Sequence, residues 1–519
     1  MNKESPSPTS HPTGDPQIFP DSSADGPVSI DTYAGRVSVD WDDTAKVTPL
    51  GHLAFFVEYL KLSGRFDALV ADCPLVFTSP NRPEVRDLLG TAMLSVLGGH
   101  WRYAHMTALR GDRVSADLLG MKRIRSEDSV RRGIGKIDAE EGEKWLCGHL
   151  MDTLSPILSE PWILDCDTTI KPLYGHQQGA VLGYNPHKPG RPSHALHSFQ
   201  ISSVRLILDV VVKPGNETSS KHSEPHIWPL LKKLPCSSWP AFVRGDKDWG
   251  NERNMARCEQ EGLPYLFKLR LTKGVKRLAE KLMKNGKWME AGQGWEGQEA
   301  TLRLDGWRHQ RRVIVLRRRL PLTPGKLVTA ANTPDQFEFY WPEEKRGYCE
   351  WEISVLVTSI EGMEILSLAQ LYRDRGDSEN PFDELKNQWG WGGFTTHDIT
   401  RCQIMARMVA LFYNWWSLYV RLSDPNQHRE ALTTRSLLLN AVAKQTRHAG
   451  QTRITVTSMH GRREEVRRAL QKLAEFFAGL HAIAEQLTVT EIWTKILRHA
   501  LQKYLGNRNL HPPPLLLTA

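Results

Sequence analysis

Three acidic positions in this chain of 519 residues stand where a fold would present them for chemistry. Asp167 follows the apolar run Trp162-Ile163-Leu164 and precedes Thr168 and Thr169. An aspartate inside a buried strand is costly unless it is paired or binds a cation. Asp246 closes a second strand-like run, Pro240-Ala241-Phe242-Val243-Arg244-Gly245, and Glu379 lies far downstream in a helical segment. Ligands of open α/β sheets gather at the carboxyl ends of strands, so two strand-end carboxylates can converge there. Carboxylates suit Mg2+, a hard cation that takes oxygen ligands. Three of them can hold two ions roughly 4 Å apart, one activating water or a hydroxyl and one stabilising the leaving oxygen of a phosphodiester. Taken singly, each aspartate is more often a cap or turn residue. Asp165 shares a strand face with Asp167, and Asp248 follows Asp246 closely, so spacing alone leaves the first ligand open between Asp165 and Asp167.

The segment from Tyr372 to Lys386 adds a second pattern. Read as one helix at 100° per residue, Tyr372, Arg375, Glu379 and Lys386 fall within about a 60° arc. One face then carries a carboxylate flanked by two cations and a phenol, a surface suited to a phosphate backbone entering a metal site. The competing reading is a solvated, salt-bridged face, because Asp374, Asp377, Asp383 and Glu384 are close by. Pro381 predicts a kink just after Glu379, displacing Lys386 from the arc. The loop from Gly183 to Ser193 holds His187, Lys188 and Arg191, and reads either as a phosphate-contacting loop or as a solvated hairpin. Trp389-Gly390-Trp391-Gly392-Gly393 reads as a packed turn, with base stacking as the lesser alternative.

The elements that must position these residues are α/β in pattern. Trp162–Thr168, Val204–Val212, 240–246 and 265–269 read as strands, and Asn251–Gly262 as a helix between two of them. Residues 1–45, rich in Pro, Ser, Gly and Asp, read as a disordered tail. Residues 46–158 are helical, with Ser126 capping a basic helix start that suits either a DNA groove or solvent. The α/β core begins at 159 and runs to 285. A strand-rich insertion follows at 286–358, carrying Trp288, Trp295, Trp307 and the basic run Arg311–Arg319. The core resumes over 359–425 with the Glu379 helix, and 426–519 is a C-terminal helical region. Length alone suggests about three to four domains.

Composition bounds the rest. The formal net charge of +8 permits a polyanionic partner without proving one. The seven cysteines form no C-x-x-C pair, which argues against a zinc ribbon or disulfide framework and for a reducing compartment. No apolar run reaches membrane-spanning length; the best, Ile399–Leu422, carries Arg401, Arg407, Asn414 and Arg421. The expected location is the cytoplasm.

The spacing Tyr-x2-Arg-x3-Glu-x6-Lys in Tyr372, Arg375, Glu379 and Lys386 resembles the YREK signature of bacterial insertion-sequence transposases of the insertion-sequence 4 group. Leu164–Thr169, Gly183–Pro186 with Gly190-Arg191-Pro192, and Arg244-Gly245-Asp246 are most similar to the insertion-sequence 1380 family. The resemblance covers roughly residues 50 to 490. It implies an RNase H-like catalytic core with a β-rich insertion between the second aspartate and the glutamate, flanked by helical regions. It implies Asp167, Asp246 and Glu379 as catalytic and metal-binding triad, holding two Mg2+ ions (or Mn2+). Tyr372, Arg375 and Lys386 would contact transposon-end DNA, joined on the residue reading by Lys188 and Arg191. The implied reaction is cleavage at inverted repeats and transfer of the 3′-hydroxyl into target DNA, by a homodimer on double-stranded DNA in the bacterial, nucleoid-associated cytoplasm. Such enzymes often pass through a hairpin end with an aromatic residue holding a flipped base. Two alternatives stand beside it: a structure-specific nuclease, and a catalytically inactive or domesticated DNA-binding derivative.

Overall fold

A computed structural model describes residues 27–186, 188–320, 338–343, 347–426, 428–457, 459–506, 508 and 510; the side chains of 338–343, 347–350 and 377–380 are outside that description. Most of the expected tail, His187 and the centre of the strand-rich interval therefore lie outside the described residues. The strands are β1 (Val28–Thr32), β2 (Gly35–Val39), β3 (Val47–Thr48), β4 (Ile163–Pro172) and β5 (Ser193–Ile201). They continue with β6 (Leu206–Pro214), β7 (Phe242–Gly245), β8 (Tyr265–Lys268), β9 (Met289–Gly292) and β10 (Trp295–Leu302). The last are β11 (Arg311–Leu320), β12 (Glu338–Glu343), β13 (Gly347–Thr358), β14 (Ala443–His448) and β15 (Gln451–Val456).

Residues 1–46 and 47–519 are separate compact units. In the first, β1 and β2 form an antiparallel hairpin from Val28↔Val39 to Thr32↔Gly35. This differs from the expectation of a disordered tail over 1–45. Val28, Ile30, Thr32, Val37 and Val39 are β-branched, and Gly35, which opens β2 just after the turn Tyr33-Ala34, has φ +104. Averaging composition across the Pro- and Ser-rich stretch conceals that local signal.

In the second unit, ten strands join one sheet in the order β6-β5-β4-β7-β8-β13-β11-β10-β9, with β12 on β13. β4, β7 and β8 run parallel, while β5 is antiparallel to β4 and β13 antiparallel to β8. The chain is thus a mixed α/β fold, and the strand-rich interval extends the central sheet. The helix Glu252–Glu261 makes the β7-to-β8 crossover that parallel pairing requires. Asn251 caps its start, and Gly262 ends it in the left-handed region at φ +69.

Two elements differ from the expected strands. β4 continues past Thr168 to Pro172 because β5 pairs with it along the whole length, Pro172 facing Ser193. β5 itself lies where no strand was expected. Every residue of it is buried, so polar residues such as His194, His197 and Gln200 break the apolar pattern without marking a solvent face.

The helix Ile399–Ser423 lies against β6 and is buried all round from Ile404 onward. It covers the open edge of β6 with side-chain amides. Gln403 Oε1 accepts from Val212 N at 2.6 Å and Gln403 Nε2 donates to Val210 O at 2.7 Å. Asn414 repeats this on Ile207, at 2.9 and 2.8 Å. An unpaired strand edge would otherwise bury backbone groups without partners, about 1–3 kcal/mol each. Arg407 is similarly bound to Asp209, at 2.8 and 3.1 Å.

The N- and C-terminal helices close over the other side of Ile399–Ser423 as one core. Phe56 sits 5.4 Å from Trp416 and 5.2 Å from Tyr419, and Tyr59 lies 6.2 Å from Trp493. The region 426–519 also differs from an all-helical expectation: β14 and β15 form a hairpin, joined at its base by β3. Among the described residues no helix is long and apolar enough to cross a membrane.

Candidate active site

Register along the parallel pair β4–β7 sets the centre of the site. The pairs run Ile163↔Phe242, Leu164↔Val243, Asp165↔Arg244 and Cys166↔Gly245. Asp167 and Asp246 each follow the last of these pairs, where β7 ends, and both line one cleft. Side chains alternate across a sheet, so Asp165, Arg244, Asp167 and Asp246 share one face.

The two aspartates of β4 have different surroundings. Asp165 is 1% exposed and is gripped by Arg244 through Nε at 2.5 Å and Nη2 at 2.6 Å. Arg244 also donates to the Leu371 carbonyl and to Ser202 Oγ, tying the end of the helix Ile365–Arg373 to the sheet. Asp167 instead lines a cleft of about 1130 Å³ together with Asp246. Its Oδ1 accepts from Thr168 N at 2.7 Å, and its Oδ2 meets Arg375 Nη2 at 2.8 Å. Asp246 accepts from Asp248 N at 3.0 Å. Asp248 is itself bonded by Arg270 and by Ser220 N.

Gly245 permits this corner. A Cβ there would meet Trp249 Cγ at 2.4 Å, so only glycine lets the Trp249 ring pack under the strand end that carries Asp246.

The Tyr372–Lys386 segment differs from a single kinked helix. One helix ends at Arg373 and another runs Gly376–Asn387, with the break at Asp374-Arg375. Pro381 lies inside the second helix, where Phe382, Glu384 and Leu385 are buried. Burial of that face offsets the one helical hydrogen bond that proline cannot donate. Glu384 is a hub: it accepts from His428 Nε2 at 2.9 Å, Trp389 Nε1 at 3.1 Å and Ala431 N at 2.9 Å. Trp389 and Trp391 are buried, so the turn after the helix is packed.

Despite the break, Tyr372, Arg375 and Lys386 all line the cleft with Asp167 and Asp246. Glu379 belongs to the helix Gly376–Asn387, but its side chain lies outside the described residues. Burial raises the Tyr372 pKa above the ordinary phenol value, so the hydroxyl stays protonated. Burial alone would lower the pKa of Arg375, yet Asp167, Tyr372, Asp246 and Asp165 together outweigh it and hold the value above the ordinary one. Burial lowers that of Lys386.

Lys188 and Arg191 are not brought into the cleft. Both pack on Tyr174, with cationic groups 5.1 and 4.8 Å from the ring centre. From the same loop it is Tyr184 and Pro186 that reach the wall. Of the insertion tryptophans, Trp295 lines the cleft, Trp307 is buried and Trp288 lies 4.0 Å under Arg317. The basic run is largely neutralised: Arg311, Arg312, Arg317 and Arg318 pair with Glu259, Glu299, Glu296 and Glu352.

Sequence reading missed Arg244 as the partner of Asp165, and the cations Lys247, Lys268, Arg270 and Lys276 on the wall. A usable signal existed for the first: Asp-x-Asp and Arg-x-Asp match residue for residue once the two strands are set in parallel register. Oxygen donors from Asp167 and Asp246 at one cleft are the ligand chemistry that suits a hard divalent cation. Among the described residues no three His, Cys, Asp or Glu side chains gather for a metal.

The family described as "Transposase DDE domain group 1" matches residues 76–477, most of the chain. The chain belongs to that transposase DDE-domain family. No curated protein matches it. Among solved structures, a piggyBac transposase synaptic complex with hairpin DNA aligns over 90% of this chain and 87% of that one. Its identity to this DDE-domain chain is 10% and its TM-score 0.36.

Proposed function

We propose that this chain is an active DNA transposase of the YREK type, most like the insertion-sequence 1380 family, with an RNase H-like core. It cleaves at insertion-sequence ends and transfers the 3′-hydroxyl into target DNA. The observation that supports the reading is that Asp167 and Asp246, each following the last β4–β7 pair, line one cleft together with Tyr372, Arg375 and Lys386. The order β6-β5-β4-β7-β8, with β4, β7 and β8 parallel, supports the RNase H-like core. The domain boundaries expected from sequence, with the Glu helix following the β insertion, are proposed with it.

Asp167 and Asp246, with Glu379 as the third member, would hold two Mg2+ ions. When bound, such ions supply Lewis-acid stabilisation of the phosphodiester and an activated hydroxyl. Everything else falls to the protein's side chains. Tyr372, kept protonated by burial, donates a hydrogen bond to a phosphate oxygen. Arg375, paired with Asp167 when no DNA is bound, exchanges that partner for phosphate. Lys386 adds a point charge on the same wall. Lys188 and Arg191 would contact DNA outside the cleft, and Trp295 would hold a flipped base. Two ends must be brought together, so the working form is a homodimer on DNA.

Incubation with Mg2+ and DNA bearing the inverted repeats that flank the gene tests this. The expected products are cut ends joined to target DNA. Cleavage with no joining would favour the nuclease reading, and binding with neither reaction would favour a DNA-binding derivative.

A further inference from the structure

The hairpin β14–β15 takes no part in the cleft. It lies in a stretch free of acid: no Asp or Glu occurs between Glu430 and Glu464, whereas Arg435, Lys444, Arg447, Arg453, Arg462 and Arg463 do. β3 pairs only with the hairpin's base, at Ala443↔Thr48 and Lys444↔Val47. Beyond that point the two strands continue alone to a two-residue turn, Ala449 at φ +48 and Gly450 at φ +77. Both turn residues are left-handed, as the tight twisted hairpin requires.

The two faces of the ribbon are unlike. Register pairs Gln445 with Ile454, and these are the buried and half-buried positions that seat it on the protein. The opposite face pairs Lys444 with Thr455, Thr446 with Arg453, and His448 with Gln451. All six of those residues are exposed, and none is apolar. Such a face has no reason to fold against protein. It is rich in donors and positive, and it stands on two strands about 5 Å apart. A major groove about 12 Å wide admits a two-stranded ribbon of that size.

We propose that the 443–456 ribbon is a second DNA-binding element, seated in a groove of duplex DNA away from the cleavage cleft, with Lys444 and Arg453 as its main cations. The proposal rests on the transposase reading for its choice of partner. The test measures binding of the full chain to duplex DNA carrying the flanking repeats, by fluorescence anisotropy across a salt series. Variants are Lys444→Gln with Arg453→Gln, and Lys472→Gln as an exposed cation elsewhere. The double variant is expected to bind about tenfold more weakly, with a salt dependence shallower by about 0.9 for each phosphate that is no longer neutralised. It should keep the wild-type melting temperature. Lys472→Gln should bind as wild type. Unchanged affinity and salt slope in the double variant, while wild type binds duplex DNA, would overturn the ribbon proposal alone. Equal weakening by Lys472→Gln would overturn it too, as would tighter binding to single-stranded RNA or anionic vesicles than to duplex DNA. Failure of the wild type to bind duplex DNA would instead remove the transposase reading beneath it.

Discussion

Asp165 and Asp167 are two residues apart on one strand face, yet their surroundings predict opposite consequences of mutation. Asp165 is 1% exposed and its carboxylate makes two charge-assisted bonds to Arg244, which has no exposure at all. Asp165→Ala leaves a guanidinium buried without its counter-charge. Breaking a buried pair by removing one partner costs about 3–5 kcal/mol, or roughly two to three and a half powers of ten in the folding equilibrium. The loss includes the tether from Arg244 to the Leu371 carbonyl, so the start of the Tyr372 segment should loosen as well. Asp167 has a side chain 23% exposed on the cleft wall, and its partner Arg375 retains the nearby charges of Asp246 and Asp165. Asp167→Asn should therefore cost less than half as much stability while removing catalysis. Urea unfolding followed by fluorescence, alongside a DNA cleavage assay, separates the two. An Asp165→Ala midpoint no lower than that of Asp167→Asn, or cleavage surviving in Asp167→Asn, would contradict these assigned roles.

Three further outcomes are expected. Burial alone would raise the pKa of Glu384, but the bonds from His428, Trp389 and the Ala431 amide bring it below its ordinary value. Its contribution is therefore complete above the ordinary carboxylate range and lost as pH falls through the lowered folded value, so the stability gap between wild type and Glu384→Gln should be constant near neutrality and shrink in acid, as read from unfolding midpoints. Burial lowers the His197 pKa to about 4, with Nε2 facing the Glu217 carbonyl at 2.6 Å and Nδ1 facing Thr168 Oγ1 at 2.9 Å. The unfolded chain takes up a proton that the folded state refuses, so stability should fall as pH drops from about 6.5 toward about 4, and His197→Asn should flatten that slope; a histidine NMR titration showing His197 charged at pH 6 would contradict this. Gly245→Ala should cost about 1–3 kcal/mol by driving a methyl group into Trp249, and should lower cleavage by shifting Asp246; a crystal structure with the Trp249 ring unmoved would count against it.

What could be read from sequence was what local pattern encodes. Asp167, Asp246, Tyr372, Arg375 and Lys386 were singled out by strand ends and helical spacing, and all five line one cleft. The parallel-type core was legible because β7, the helix Glu252–Glu261 and β8 alternate with clear caps and apolar runs. What escaped depended on distant partners. The Asp165–Arg244 pair joins positions 79 residues apart through strand register, which no local window contains. β5 was hidden because both of its faces are buried while His194, His197 and Gln200 interrupt the apolar run, two of them facing the carbonyls of Gln178 and Glu217. The helix break fell at Asp374-Arg375 and not at Pro381, because the proline's helix buries Phe382 and Leu385 while Arg375 turns to meet Asp167. The β14–β15 ribbon escaped because its alternation is short: Ile454 and Val456 are the only apolar residues of β15 and Ala443 the only one of β14, with Gln445 filling the remaining buried position.

The proposed holding of metal ions by Asp167, Asp246 and Glu379 is tested by Mg2+-dependent cleavage of end DNA by Asp246→Asn and Glu379→Gln, measured beside their DNA affinity. Loss of cleavage to background in both, with affinity near that of wild type, is the predicted result. Cleavage at the wild-type rate in either variant would contradict the site.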